Sequence, residues 1–202
     1  MSRYTGPRVR RARRLDTDLP GLTRKTIERR PFPPGQHGQG RRRRPSEYGM
    51  QLTEKQKLVF NYGLRERQMQ RLVEEAKRGA GTTGDRVLEF LERRIDSSVF
   101  RAGFARTIPD ARQLVNHGHI LVDDKKIDIA SYRLRVGQRV SLRRRTGVVA
   151  KVENAIALHN LPAAQWLDIK PDELSFTVRE RPGPEALLFE VDMQLVVEYY
   201  SR

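Results

Sequence analysis

ARQLVNHGHILVDDKKID, residues 111–128, carries the pattern from which the architecture of this chain can be worked out. It follows Thr107-Ile108-Pro109-Asp110, which carries a hydroxyl at the cap, a proline in the first turn and an acid three residues on, a helix-start pattern. Ala111, Leu114 and Val115 then fall on one helical face, and Gly118 stands where a left-handed residue ends a helix. His117 is therefore predicted to close the helix and His119 to begin a strand. HILV and KKIDI flank Asp123-Asp124, a two-residue turn between strands. An aspartate is uncomfortable at positive φ, so the type of that turn stays open. Further on, RLRVGQRVSLRRR turns at Gly137 and returns as a strand through Val140 and Leu142.

The flanking segments set this unit in a larger chain of 202 residues. Leu64, Met69, Leu72, Val73 and Ala76 make one helical stripe, and Val87, Leu88, Leu91, Ile95 and Val99 make another, with Arg86, Glu89, Glu92 and Arg93 outside it. The segment before Gly63 also reads as helical. Thr146 to Asn160 is predicted helical, residues 163–182 alternate like strands with proline breaks, and Asp192 is placed to cap a short last helix. Residues 1–45 show no sustained apolar period, and RPFPPGQHGQG and RRRRP close them. They read as a basic extended arm that buries too little apolar surface to fold alone.

The charge is uneven. The whole chain carries 40 Lys and Arg against 25 acids, a formal +15. Residues 1–45 hold +11, residues 46–152 hold +9 and residues 153–202 hold −5. A basic front and middle fit a polyanion partner, and the acidic tail fits a partner of another kind, a protein. No apolar run approaches the ~20 residues of a membrane span. The opening MSRYTGPRVRRARR lacks the apolar run of a secretory signal, and its scarcity of serine argues against a transit peptide. The chain has no cysteine, which removes disulfides, thiolate catalysis and cysteine zinc sites. Its four histidines, His37, His117, His119 and His159, include one close pair, but that pair brackets a glycine turn that splays the rings, so no metal is expected. No nucleophile–base signature and no phosphate loop occurs. Arg94-Ile95-Asp96 is similar to the R-L-D of pseudouridine synthases, whose aspartate is catalytic. There the RNA module precedes a large catalytic domain, whereas Asp96 precedes this one, and it reads as a structural carboxylate.

Arg106, Arg112, Lys125, Lys126, Arg133, Arg135 and Arg139 line the edge of the hairpin unit. Such cations attract phosphates, while Asn116, His117 and His119 offer hydrogen bonds to sugar or base edges. In the arm, Arg8, Arg10, Arg11, Arg13, Arg14 and the run Arg41, Arg42, Arg43 and Arg44 read as further phosphate contacts.

At this point a resemblance applies. ARQLVNHGHILV with the later SYR resembles the αL-type RNA-binding module of ribosomal protein S-four, and RYTGPR, RPFPPGQHG, SEYGMQLTEKQK, FNYGLRERQ, RRIDSSVFRAGFART and LVVEYYSR resemble the same bacterial-type family in order along the chain. The matching stretches add Arg3, Tyr4, Gln36, His37, Gln113, Ser131 and Tyr132 as expected RNA contacts. The resemblance implies an α+β fold: a basic N-terminal arm (1–45), a helical body (46–92 and 154–202) and an inserted RNA-binding domain (93–153). It implies a structural, non-catalytic constituent of the small (30S) ribosomal subunit that binds 16S rRNA in its 5′ domain, nucleates assembly and contributes to decoding accuracy. No cofactor is expected. Implied neighbours are proteins S-five and S-three and the mRNA where it enters the subunit, in a cytoplasmic or organellar ribosome. Asp192, Glu198 and Tyr199 are candidates for a protein interface. Many relatives hold the arm with four zinc-binding cysteines, which this chain lacks. A free-standing RNA chaperone and an RNA-modifying enzyme remain the alternatives.

Overall fold

The computed structural model describes residues 4–40, 44–144 and 146–201, the side chain of Thr146 excepted. The fold is α+β, and the chain divides into two compact units, residues 1–84 with 189–202 and residues 85–188. From the sequence, divisions are expected after residues 92 and 153. The unit boundary at 188 has a clear cause: two strands beyond residue 153, in 167–170 and 175–178, pair into the sheet of the second unit.

The first unit is helical. Ser46 caps α2 (Glu47–Asn61) by accepting from the Gly49 N–H, and α3 (Glu66–Lys77) buries Met69, Leu72, Val73 and Ala76 of the predicted stripe, while its fifth member, Leu64, is buried just before the helix. The last helix of the chain, α8 (Met193–Tyr199), starts at Asp192, whose Oδ1 accepts from the amides of Gln194 and Leu195. It packs on α2.

The arm departs from expectation. Arg8–Leu15 forms a helix, α1, and Ala12 and Leu15 join Leu19 and Leu22 in a small buried cluster covered by Ile27, Phe60 and Phe189. Four apolar residues spaced three or four apart suffice because α2 supplies the opposing surface. The buried Asn61 side chain fixes the return of the chain by accepting from the Gly21 amide at 2.9 Å. Arg13 turns inward and donates through Nε to the carbonyls of Arg30 (3.1 Å) and Phe32 (3.0 Å), with its guanidinium over the Phe32 ring. Gly38 is buried against the Pro33 carbonyl, where a Cβ would overlap backbone. The proline-rich segment thus folds on itself through backbone contacts that no apolar period reports.

The second unit is a sheet backed by helices. The stripe read as one run is two helices, α4 (Thr83–Glu92) and α5 (Ile95–Arg101), and all five predicted apolar residues are buried. The break exists because the backbone there pairs elsewhere: the Ile95 amide donates to Tyr132 O at 2.8 Å, and the Leu134 amide donates to Arg93 O at 2.9 Å. Glu92, expected outside the stripe, is buried and accepts from the Ser97 hydroxyl.

Next comes α6 (Ile108–Asn116), capped by Thr107 with proline in its first turn and ended at His117, with Gly118 at φ 68°. Strands β1 (Ile120–Val122), β2 (Lys125–Ile127) and β3 (Arg139–Leu142) follow, then α7 (Thr146–Ala157) and the hairpin β4 (Leu167–Lys170) and β5 (Ser175–Val178). All pairings are antiparallel, in the order β2-β1-β3-β5-β4. Ile120, Val122, Val140, Leu142, Phe176 and Val178 are buried on one face, and Phe176 meets Phe104 edge-on at 5.6 Å. The alternate residues form the other face.

Asp123 and Asp124 both have positive φ, 47° and 63°, between the paired Val122 and Lys125. The hairpin is therefore a type I′ turn, whose right-handed match to strand twist outweighs the discomfort of aspartate. The Asp123 carboxylate offsets part of this by accepting from the Arg139 amide and Gln138 Nε2, both at 3.0 Å. Asp124 has no such bond, so Asp124→Gly should stabilise the protein by about 0.5 kcal/mol, raising the thermal midpoint by about 2–3 °C. A midpoint unchanged or lowered would show that Asp124 bears no backbone cost.

Candidate nucleic-acid interface

The end of α6 and the start of β1 gather most of the predicted polar set. Gln113, Asn116 and His117 are exposed on the last turns of α6. The His117 and His119 rings lie 6.1 Å apart, tilted by 47°. Lys126 stands opposite Leu121 on the outer face, and its side chain runs over Gly118, where a Cβ would overlap it. Its ammonium thereby sits by the C-terminus of α6, the negative end of the helix dipole. The pairing of Ile120 with Leu142 brings Arg143 beside His119, and its amide donates to His119 O at 2.8 Å. Arg143 and Arg144 are exposed. Neither is among the RNA contacts expected from the sequence. The arginines that follow Leu142 were the available signal, but only the sheet register brings Arg143 to the histidines.

Other predicted cations have internal partners. Asp96 is fully buried and binds two guanidiniums: Arg94 through Nε and Nη2 at 3.0 Å each, and Arg112 through Nε at 2.9 Å and Nη2 at 2.6 Å. This carboxylate is structural, as the sequence suggested, and it ties α6 to α5. Arg112 keeps 27% of its side chain exposed, so it presents an edge of the pair rather than an isolated charge. Arg133 lies 4.3 Å over the Phe90 ring. Arg106 donates to Asn154 Oδ1 at 2.9 Å, Tyr132 Oη accepts from Gln138, and Arg139 pairs with Glu173 at 2.8 Å. Ser131, Lys125 and Arg135 are exposed, with Lys125 next to the acidic turn.

In the first unit, Arg8, Arg10, Arg14 and Arg44 are exposed, as are Tyr4, Gln36 and His37. Arg11 is held between the Tyr4 ring (3.5 Å) and the Phe60 ring (4.3 Å), and burial pushes its pKa down from the ordinary arginine value. Arg11 and Arg13 are thus used in packing, which separates them from their exposed neighbours. Arg3, Arg41, Arg42 and Arg43 lie outside the described residues. Of the three candidate protein-interface residues, Asp192 caps α8, Glu198 accepts from Gln51 Nε2 at 3.2 Å, and Tyr199 Oη accepts from Lys55 Nζ at 3.3 Å. Each has a role inside its own unit. Among the described residues, no group of three or more His, Asp and Glu side chains is placed to hold a metal ion, and no helix is long and apolar enough to cross a membrane.

Comparison with known proteins adds sequence-wide similarity to this geometry. Residues 3–92 match the family described as Ribosomal protein S4/S9 N-terminal domain, and residues 93–140 match the S4 domain. Full-length relatives include the small ribosomal subunit protein uS4 of Methylobacillus flagellatus, 48% identical over 203 residues. Those of Synechococcus elongatus (52% over 206 residues) and Nostoc punctiforme (50% over 205) are similar to the same extent. In each case the alignment covers 100% of this chain and 99% of the relative.

Proposed function

We infer the function from family membership: the chain belongs to the small ribosomal subunit protein uS4 family. It is a structural constituent of the small ribosomal subunit and binds ribosomal RNA. The observation that carries this is identity near one residue in two along the whole length, which takes in both the helical unit and the RNA-binding module. We propose, more finely, that it is a primary binder of the 16S rRNA 5′ domain, that it nucleates subunit assembly in the cytoplasm, and that it contributes to decoding accuracy beside proteins S-five and S-three, where mRNA enters. The cationic end of α6 and the outer face of β1–β3 support the RNA part. In this reading Gln113, Asn116, His117, His119, Lys126 and Arg143 meet RNA from the second unit, and exposed Arg8, Arg10, Arg14 and Arg44 meet it from the first.

An RNA-modifying enzyme gains no support, because the one aspartate in a suggestive motif, Asp96, is fully buried between two arginines. Nor does any observation favour a free-standing chaperone. Gradient sedimentation of a lysate tests the proposal. The protein should run with the small subunit at one copy per particle and stay there through a high-salt wash. Recovery mainly at the top of the gradient, or loss from the subunit in salt, would overturn it.

A further inference from the structure

The outer face of the sheet holds an arrangement that the RNA-binding residues above do not use. Arg139 on β3, Lys170 on β4 and Ser175 on β5 converge on one carboxylate, that of Glu173 in the β4–β5 turn. Arg139 Nη2 lies 2.8 Å from Oε2, the Ser175 hydroxyl donates to the same oxygen at 3.3 Å, and Lys170 Nζ lies 3.8 Å from Oε1. The three donors come from three adjacent strands whose register is fixed by Arg139↔Thr177, Ser141↔Ser175 and Lys170↔Ser175. Ser175 is 1% exposed, so its hydroxyl direction is set by packing, while the side chains of Arg139, Lys170 and Glu173 are about half exposed, at 56%, 56% and 50%. Only Arg139 lies within the matched S4 domain, which ends at residue 140.

A guanidinium fork, an ammonium and a fixed hydroxyl around two anionic oxygens is the donor set that a phosphate diester takes. We propose that this is a phosphate site for the RNA backbone, occupied in the free protein by the chain's own Glu173. The inference rests on the RNA-binding reading given above. When RNA docks, a phosphate takes the place of the carboxylate on Arg139, Lys170 and Ser175, and Glu173 swings to solvent. The exchange costs little because exposed ion pairs contribute at most about 1 kcal/mol. The arrangement also gives the free protein a reason to carry an acid in the middle of a basic face: Glu173 neutralises the site until a stronger anion arrives, which weakens capture by wrong polyanions.

The test uses the full-length chain and a 16S 5′-domain RNA, with binding measured across a salt titration. Glu173→Gln should bind about two- to fivefold tighter at 0.1 M salt, because no carboxylate competes for the donors, with a log–log salt slope close to the parent's, because the same phosphate is neutralised in both complexes. Asp168→Asn is the control. Asp168 stands in the same cross-strand row, opposite Thr177, so the change removes equal charge but releases no donor, and its affinity should stay close to that of the parent. Adding Arg139→Gln to Glu173→Gln should abolish the gain. Trp166 fluorescence confirms that each variant is folded. If Glu173→Gln behaves like Asp168→Asn, or if Arg139→Gln is neutral in the Glu173→Gln background, the phosphate site is wrong while the RNA-binding reading stands. If the parent chain itself does not bind the RNA, both fall.

Discussion

Asp96→Ala is expected to cost the 85–188 unit about 3–5 kcal/mol, a large share of the ~5–15 kcal/mol that holds an ordinary domain folded. The main cause is uncompensated positive charge in the interior. Asp96 has no exposure, and Arg94 is 7% exposed. Removing the carboxylate leaves a buried guanidinium with no counterion beside a second one from Arg112, and it also strips the acceptor from the Ser97 amide. The two arginines come from different places, one from the break between α4 and α5 and the other from α6, so their repulsion acts directly on the packing of α6. Urea unfolding followed by fluorescence is a clean measurement. Trp166 is the single tryptophan, it is buried, and it reports on this unit. Asp96→Asn keeps the shape and one acceptor and should fall between the parent and the alanine variant. A loss below ~1 kcal/mol for alanine would mean that both arginines reach solvent, and the cluster would then not be what fixes α6.

Replacing Arg8, Arg10 and Arg14 together by glutamine should leave thermal stability nearly unchanged and weaken RNA binding on the order of 10²-fold at 0.1 M salt. All three are exposed on α1, and Arg10 and Arg14 stand one turn apart, opposite buried Ala12 and Leu15. If each meets one phosphate, the log–log salt slope should flatten by about 2–3 units. Arg13→Gln should do the reverse. Its three carbonyl partners and the Phe32 ring lose their anchor, so stability should fall while the salt slope barely moves. A triple variant with an unchanged slope would place the arm's RNA contacts outside α1. A flattened slope in Arg13→Gln would mean that this arginine leaves its carbonyls for phosphate.

Elements whose information is local could be read from the chain alone. Thr107, Pro109 and Asp110 start α6, Gly118 ends it, and Asp192 starts α8, because caps and left-handed stops act within one turn of the chain. The helical stripes were legible for the same reason, and so was the family, whose motifs run the length of the chain. Features that depend on partners far away in sequence became visible only in the folded molecule. Folding splits the stripe at Arg93 and Arg94, because that backbone pairs with residues 132–134. It builds a core in the arm, because α2 covers four leucine and alanine side chains too few to signal a helix alone. It also sorts the arginines, which look alike in sequence. Arg94 and Arg112 satisfy a buried carboxylate, Arg13 binds backbone carbonyls, Arg139 is held by an acid 34 residues on, and Arg143 stands exposed at the histidines. A charge is written in the sequence, but what it faces is set by strand register and helix packing, and on that depends whether it is neutralised inside the fold or offered to RNA.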